Sequence, residues 1–281
     1  MAAQKIAVIT FNDVPRRNYT FKYERLGPLA LKNHEQYCRL HGYEFIQDVS
    51  VASDRPACWA KIPAIVDALD EFDWILWADS DALITNMSKR VEDFCDSRYD
   101  IVTQSPRDHF EFIGSDLATG LRVMPINTSV FLVRSTSWAK EFFKQSYDQT
   151  NLISHDQIWN GIGDQEAVTQ LLKKHPNDFN RIRYSDSLQS HPKFYMPSNL
   201  CVHFFGNHAH HRIPLDGCEK ILREWEQAAE REQPFPLHEM ARFHWACIQN
   251  KRSDCPVVRG DLGLFLYTAK DIEDESRAKL P

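Results

Sequence analysis

Apolar residues in this chain gather in short unbroken runs, separated by longer stretches where polar and apolar positions mix. That is the pattern of buried strands alternating with helices. Lys5 to Phe11 reads as a first strand, followed by a polar loop from Asn12 to Thr20. A helix is predicted from about Pro28 to Leu40, with Leu29, Leu31, Tyr37 and Leu40 on its apolar side and Gly42 as its C′ stop. Tyr43 to Ile46 is a short strand. A second helix runs from about Trp59 to Leu69, where Pro63 is tolerable only in the first turn. Trp74-Ile75-Leu76-Trp77-Ala78 then has the five apolar residues of a strand covered on both faces. This β-α-β-α-β order predicts a parallel sheet with right-handed crossovers, hence an α/β fold.

Further along, Tyr99 to Thr103 reads as a strand, Phe110 to Pro125 as a glycine-containing loop, and Ser129 to Val133 as another buried strand. Helices are predicted from Ser137 to about Tyr147 and from Asp164 to Lys174, the latter ended with help from Pro176. Leu200 to Phe205 is a late strand, and Leu215 to Arg231 a charged, amphipathic helix. Gln233-Pro234-Phe235-Pro236 is the one credible linker, so residues 1–231 form the main domain. Residues 232–281 are a short extension packed on it, helical from Leu237 to Asn250 and then irregular.

Composition narrows the class. With 281 residues, 43% apolar and 26% charged, the chain reads as a soluble globular protein. A net charge of −6 without a basic stripe argues against a nucleic-acid partner. No stretch reaches the ~20 apolar residues of a membrane span, and the N-terminus lacks a signal-peptide core. The seven cysteines are scattered, with no C-x-x-C pair, which suits reduced thiols in a cytosol. Asn18, Asn86 and Asn127 each begin an N-x-Ser/Thr triplet. Two lie where a glycan would obstruct the site, so a cytoplasmic location is expected.

Candidate chemistry centres on Asp79-Ser80-Asp81, at the C-terminal end of the buried strand, where open α/β sheets hold their ligands. In extended chain, side chains at i and i+2 point the same way, so Asp79 and Asp81 can face one point while Ser80 faces the other. Two such carboxylates repel unless a cation lies between them, and a hard divalent ion suits. A solvated acidic turn is the plain alternative, but a turn between two core strands has no need of two acids. His203, at the end of the late strand and just before Gly206, is the best third ligand; a core histidine bonded to backbone is the competing reading. His208, His210, His211 and Arg212 crowd the loop that follows, suited to phosphate more than to zinc. Asn127 and Thr128 precede a strand and are positioned to bond sugar hydroxyls or local backbone. Asp164-Gln165-Glu166 stands at a helix start, where Asp164 as N-cap is explanation enough. Lys61, taken alone, reads as a surface lysine.

These blocks together resemble glycosyltransferase family 34. The matching pieces are Tyr37 through Glu44, Trp59-Ala60-Lys61, Trp74 through Asp81, Asn127-Thr128-Ser129, Asp164-Gln165 and His203-Phe204-Phe205-Gly206, in family order over about residues 5 to 210. The resemblance implies a GT-A (Rossmann-like) fold with a mixed, mainly parallel sheet, and transfer from a nucleotide-sugar donor with retention of configuration. It implies manganese, with magnesium as the alternative, held by Asp79, Asp81 and His203. Lys61, Asn127, Asp164 and Gln165 would line the donor sugar or the reacting face, with Asp164 or Gln165 steadying the positive centre. Thr10 and Asn12, after the first strand, would lie near the base, and Ser80, Thr128 and Gly206 complete the donor-binding set. Two departures stand out. Ser129 replaces the family's glycine, and Asn207 and His208 stand where the family has Cys and a basic residue, which passes the diphosphate contact to His208 or Arg212.

The expected partners are a nucleotide sugar, a UDP-sugar ahead of GDP-mannose, and a glycan or glycoconjugate acceptor. The competing functions are a metal-dependent nucleotidyltransferase or phosphohydrolase using the same acids, and a non-catalytic glycan-binding protein of the same fold.

Overall fold

The computed structural model describes residues 4–12, 21–52, 54–104, 126–153, 163–190 and 198–203. Its main sheet contains β1 (Ile6–Ile9), β2 (Glu44–Ile46), β3 (Trp74–Ala78), β5 (Ile101–Thr103), β6 (Val130–Arg134) and β7 (Ile182–Tyr184), in spatial order β2-β1-β3-β6-β5-β7. The pairs β1–β2, β1–β3 and β5–β7 are parallel, whereas β6 runs antiparallel to both β3 and β5. The sheet is thus mixed and mainly parallel, as the resemblance implied, with a single reversed strand where the element order alone suggested none. β6 starts at the edge where β5 ends, so no crossover returns the chain to the opposite edge and the strand must run back.

Side-chain alternation splits the core in two. Ile75 and Trp77 of β3, Ala7 and Ile9 of β1, and Phe131 and Val133 of β6 face one layer. That layer also holds α2 (Lys61–Ala68), α3 (Ser137–Tyr147) and α4 (Asp164–Lys174). Trp74, Leu76, Ala78, Val8, Val130 and Leu132 face the other layer. There lie α1 (Phe21–His41) and a three-stranded sheet of β4 (Ala82–Ile84), β9 (Cys201–His203) and β8 (Gln189–Ser190).

α1 grips the free edge of β4 with side chains where a strand would otherwise pair. The Asn33 amide donates to the Ile84 carbonyl at 3.0 Å, and the Ile84 N–H donates to Asn33 Oδ1 at 2.7 Å. His34 Nε2 donates to the Ala82 carbonyl at 3.0 Å. These bonds satisfy buried backbone that would otherwise carry a desolvation cost. They also fix β4 immediately after the acidic triplet.

Local signals explain most element ends. The α3 helix begins where the Thr136 side chain caps the Ala139 N–H, and α1 stops at Gly42, whose φ of +74° is the left-handed conformation of a C′ residue. α1 is longer than expected, beginning at Phe21 with Pro28 inside it, because packing on the sheet holds the helix through a residue that removes one hydrogen bond. The second helix splits into a 3-10 turn, Ala57–Ala60, and α2, with Pro63 in its first turn. At α4 the N-cap is Gly163, not Asp164. The Asp164 carboxylate is drawn away from the helix end by a buried lysine.

At the opposite edge of the sheet, buried Asp100 accepts from Arg134 at 2.7 Å and from Arg181 at 2.7 Å, tying β5, β6 and β7 together. Burial acts to raise the Asp100 carboxyl, but the two guanidinium groups outweigh it and hold it below its ordinary value. Among the described residues no helix is long and apolar enough to cross a membrane. The expected loop Phe110 to Pro125, helices Leu215 to Arg231 and Leu237 to Asn250, the 233–236 linker and the 232–281 extension lie outside the described residues.

Candidate active site

The site forms at the edge where β1, β3 and β5 end and where α2 and α4 begin. The Asp79 N–H donates to the Ser129 carbonyl at 2.8 Å, which holds the chain leaving β3 against the chain entering β6. The chain from Asp79 to Ala82 is a turn, closed by the Ala82 N–H on the Asp79 carbonyl at 2.9 Å, and not the extended segment expected. The Trp77 indole N–H donates to Asp79 Oδ1 at 2.7 Å. Asp81 precedes β4, and antiparallel pairing sets Ala82 opposite His203 on β9. That register brings His203 Nε2 to 3.1 Å from Asp81 Oδ1. One ligand atom from each of Asp79, Asp81 and His203 lies within 4.8 Å of the others. Two carboxylates suit manganese or magnesium, and the added imidazole favours the more borderline manganese.

Lys61 is not a surface residue. It is 6% exposed, and its ammonium reaches Asp79 Oδ1 at 3.1 Å, Asp164 Oδ2 at 3.0 Å and the Thr128 carbonyl at 2.8 Å. Three N–H donors meet three acceptors. Burial works against its charge, but Asp164 and Asp79 outweigh that and hold the ammonium above its ordinary pKa. Asp79 is pushed upward by burial, pulled down by Lys61 and pushed up again by Asp81. Leaving His203 out of the count, three carboxylates against one ammonium leave a formal surplus of two negative charges. One divalent cation matches that surplus, so the residues present fit such an ion.

Thr128 ties the catalytic candidates together. Its hydroxyl donates to Asp164 Oδ2 at 2.9 Å, and its N–H donates to Gln165 Oε1 at 3.0 Å. A backbone N–H pairs only with the oxygen of a carboxamide, so the Gln165 amide nitrogen lies on the far side of that group from Thr128. Asn127 uses its side-chain oxygen on the Ser129 N–H at 2.9 Å, the local Asx bond weighed above, while its carbonyl accepts from Thr103. Asn127 Nδ2 lies 3.5 Å from Gln104 Oε1.

Thr10 is buried at the end of β1, its N–H on the Ile46 carbonyl at 3.0 Å. Its hydroxyl has no hydrogen-bond partner among the described residues. Asn12 is half-buried against α1, and a Cβ on Gly27 would overlap the Asn12 amide, so the bare glycine makes room for it. Ser80 is buried. Gly206, His208 and Arg212, with neighbouring His210 and His211, lie outside the described residues.

Two participants escaped the sequence reading. Trp77 looked like core, and its indole N–H carried no signal of a partner. Gln104 sits at the end of β5, a position that could have drawn attention to it.

Residues 2–212 match the model of the galactosyl transferase GMA12/MNN10 family. Probable glycosyltransferase 6 of Oryza sativa subsp. indica is 29% identical over 162 residues, covering 52% of this chain and 32% of that protein. Galactomannan galactosyltransferase 1 of Cyamopsis tetragonoloba is 30% identical over 145 residues, covering 50% and 32%. An uncharacterized alpha-1,2-galactosyltransferase of Schizosaccharomyces pombe is 26% identical over 216 residues, covering 63% and 55%. The chain thus spans about 32% of the length of the two plant relatives. Among solved structures, a glycosyltransferase involved in glycosylation of the major capsid of PBCV-1 superposes with a TM-score of 0.53 at 18% identity, covering 81% of this chain and 99% of that one. This last likeness is one of fold, and the fold is GT-A.

Proposed function

The chain belongs to the galactosyl transferase GMA12/MNN10 family, and from that premise we propose that it is a metal-dependent, retaining α-glycosyltransferase. It moves galactose, xylose or mannose from a nucleotide-sugar donor to a hydroxyl of a glycan or glycoconjugate acceptor. The convergence of Asp79, Asp81 and His203 within 4.8 Å, at the sheet edge where α/β folds bind ligands, carries this reading. The galactosyltransferase names of two relatives favour a UDP-galactose donor over UDP-xylose or GDP-mannose.

Asp79, Asp81 and His203 would hold manganese, or magnesium. Such an ion supplies Lewis-acid stabilisation to the negative charge that grows on a departing diphosphate. The protein's own groups supply the rest. Lys61 sets its positive charge between Asp79 and Asp164 at the reacting edge. Asp164 sets a fixed negative charge beside the sugar, where an oxocarbenium-like centre develops. Gln165 and Asn127 offer amide groups to sugar hydroxyls, and Thr10, Asn12 and Ser80 line the nucleotide end. His208 or Arg212, a few residues beyond His203 in the sequence, would take the diphosphate contact, with Gly206 in the donor-binding set. Retention is read as same-face attack, with the acceptor hydroxyl bonded to the leaving phosphate.

The test is release of nucleoside diphosphate from UDP-galactose, UDP-xylose and GDP-mannose, each with manganese, with magnesium and with a chelator. One donor should turn over, only with a divalent ion, and Asp81→Ala should abolish that turnover. Full activity under chelation, or in Asp79→Ala and Asp81→Ala, would refute the site. Release of phosphate or pyrophosphate in place of nucleoside diphosphate would point to the phosphohydrolase or nucleotidyltransferase reading.

A further inference from the structure

Each polar atom of Thr128 is engaged by a different member of the site. The hydroxyl donates to Asp164 Oδ2, the N–H donates to Gln165 Oε1, and the carbonyl accepts from Lys61 Nζ, at 2.9, 3.0 and 2.8 Å. The residue is 2% exposed. Its neighbours on both sides are fixed as well: the Asn127 carbonyl accepts from the Thr103 hydroxyl, and the Ser129 carbonyl accepts from the Asp79 N–H. A side chain already bonded in this way does not have its hydroxyl proton available for a sugar.

We propose that Thr128 is a positioning residue: it sets the Asp164 carboxylate and the Gln165 amide relative to Lys61, and so aligns the reacting edge without touching the donor. The inference rests on the glycosyltransferase reading above. The hydroxyl matters because Asp164 Oδ2 receives two donors, Lys61 and Thr128, that fix the carboxylate plane. Losing one leaves the carboxylate free to pivot about the lysine. The backbone bonds to Gln165 and Lys61 survive any substitution that keeps the local chain path.

The experiment compares the parent with Thr128→Val, which keeps the shape and loses the hydroxyl, and Thr128→Ser, which keeps the hydroxyl. Turnover is measured with whichever of the three donors the parent uses, and kcat is expressed per active site, counted by calorimetric titration with manganese and the matching nucleoside diphosphate. Thr128→Val should lower kcat roughly ten- to hundredfold, the loss of one hydrogen bond to a charged group, with donor KM changed less than about threefold. Thr128→Ser should restore kcat to within about threefold of the parent.

An unchanged kcat in Thr128→Val, or a rise in donor KM that accounts for its whole loss, overturns the positioning role while leaving the enzyme reading intact. Equal impairment of the Val and Ser variants per counted site also overturns it, because the hydroxyl would then be irrelevant. Absence of turnover by the parent itself overturns the enzyme reading and this inference together.

Discussion

Replacing Lys61 with methionine removes the one ammonium from a buried cluster and leaves its three acceptors behind. Asp164, 3.0 Å away, and the Thr128 carbonyl, 2.8 Å away, lose a donor in the protein interior. Asp79, at 3.1 Å, keeps 28% of its side chain open, so water screens that pair and the larger share of the loss falls on Asp164. Removing one partner of a buried ion pair costs about 3–5 kcal/mol, because an uncompensated charge stays behind. For a domain of this size that lowers Tm by roughly 6–20 °C. The variant site carries three formal negative charges in place of two, so a divalent ion should recover more stability in Lys61→Met than in the parent. Calorimetric melting in chelator and in manganese reads both effects. A variant that melts within about 2 °C of the parent in chelator would refute the bridging role, since no buried carboxylate could then have depended on Lys61.

His34 is fully buried, and burial lowers its pKa from 6.5 to about 4, partly opposed by its bond to the Ala82 carbonyl. The unfolded chain therefore takes up the proton first as pH falls, so this contribution to stability is whole above pH 6.5 and is lost as pH drops toward 4. The loss approaches about 3 kcal/mol, and urea titrations across that window should show a shallower decline in His34→Gln than in the parent. Equal slopes would mean that His34 does not resist protonation in the fold. At Gly42, φ is +74° and a Cβ would meet nothing within 4 Å, so Gly42→Ala should cost only left-handed strain. That cost is about 1–2 kcal/mol, visible as a lower Tm with unchanged turnover; an unaltered melt would show that the helix end relaxes.

How much of this was legible in the chain depends on which physics wrote each feature. Helices Ser137–Tyr147 and Asp164–Lys174 match their predicted bounds, because caps and periodicity are local. The buried runs gave strand positions but not direction: alternation looks the same in either sense, so the reversal of β6 was hidden. Pro28 looked like a helix start and lies inside α1, where sheet packing overrides a local preference. The acidic pair was readable from its place at the end of a buried strand, although a turn closed by the Ala82 N–H on the Asp79 carbonyl, and not extended chain, brings the two acids together. His203 was readable from its place at a strand end. Lys61 was misread, although Ile65 and Ala68, four and seven residues on, are buried on the same helix face and give the spacing that could have marked it. Asp164 was explained too cheaply as an N-cap, since its real partners, Lys61 and Thr128, lie 103 and 36 residues away in sequence. Contacts across such separations belong to topology, not to motif.

The central claim is that one divalent cation sits between Asp79, Asp81 and His203. Anomalous scattering from crystals soaked with manganese and the nucleoside diphosphate tests it most directly. The account predicts a single strong peak bounded by those three side chains and lost in Asp81→Ala. A peak elsewhere, or the same peak undiminished in Asp81→Ala, would contradict it.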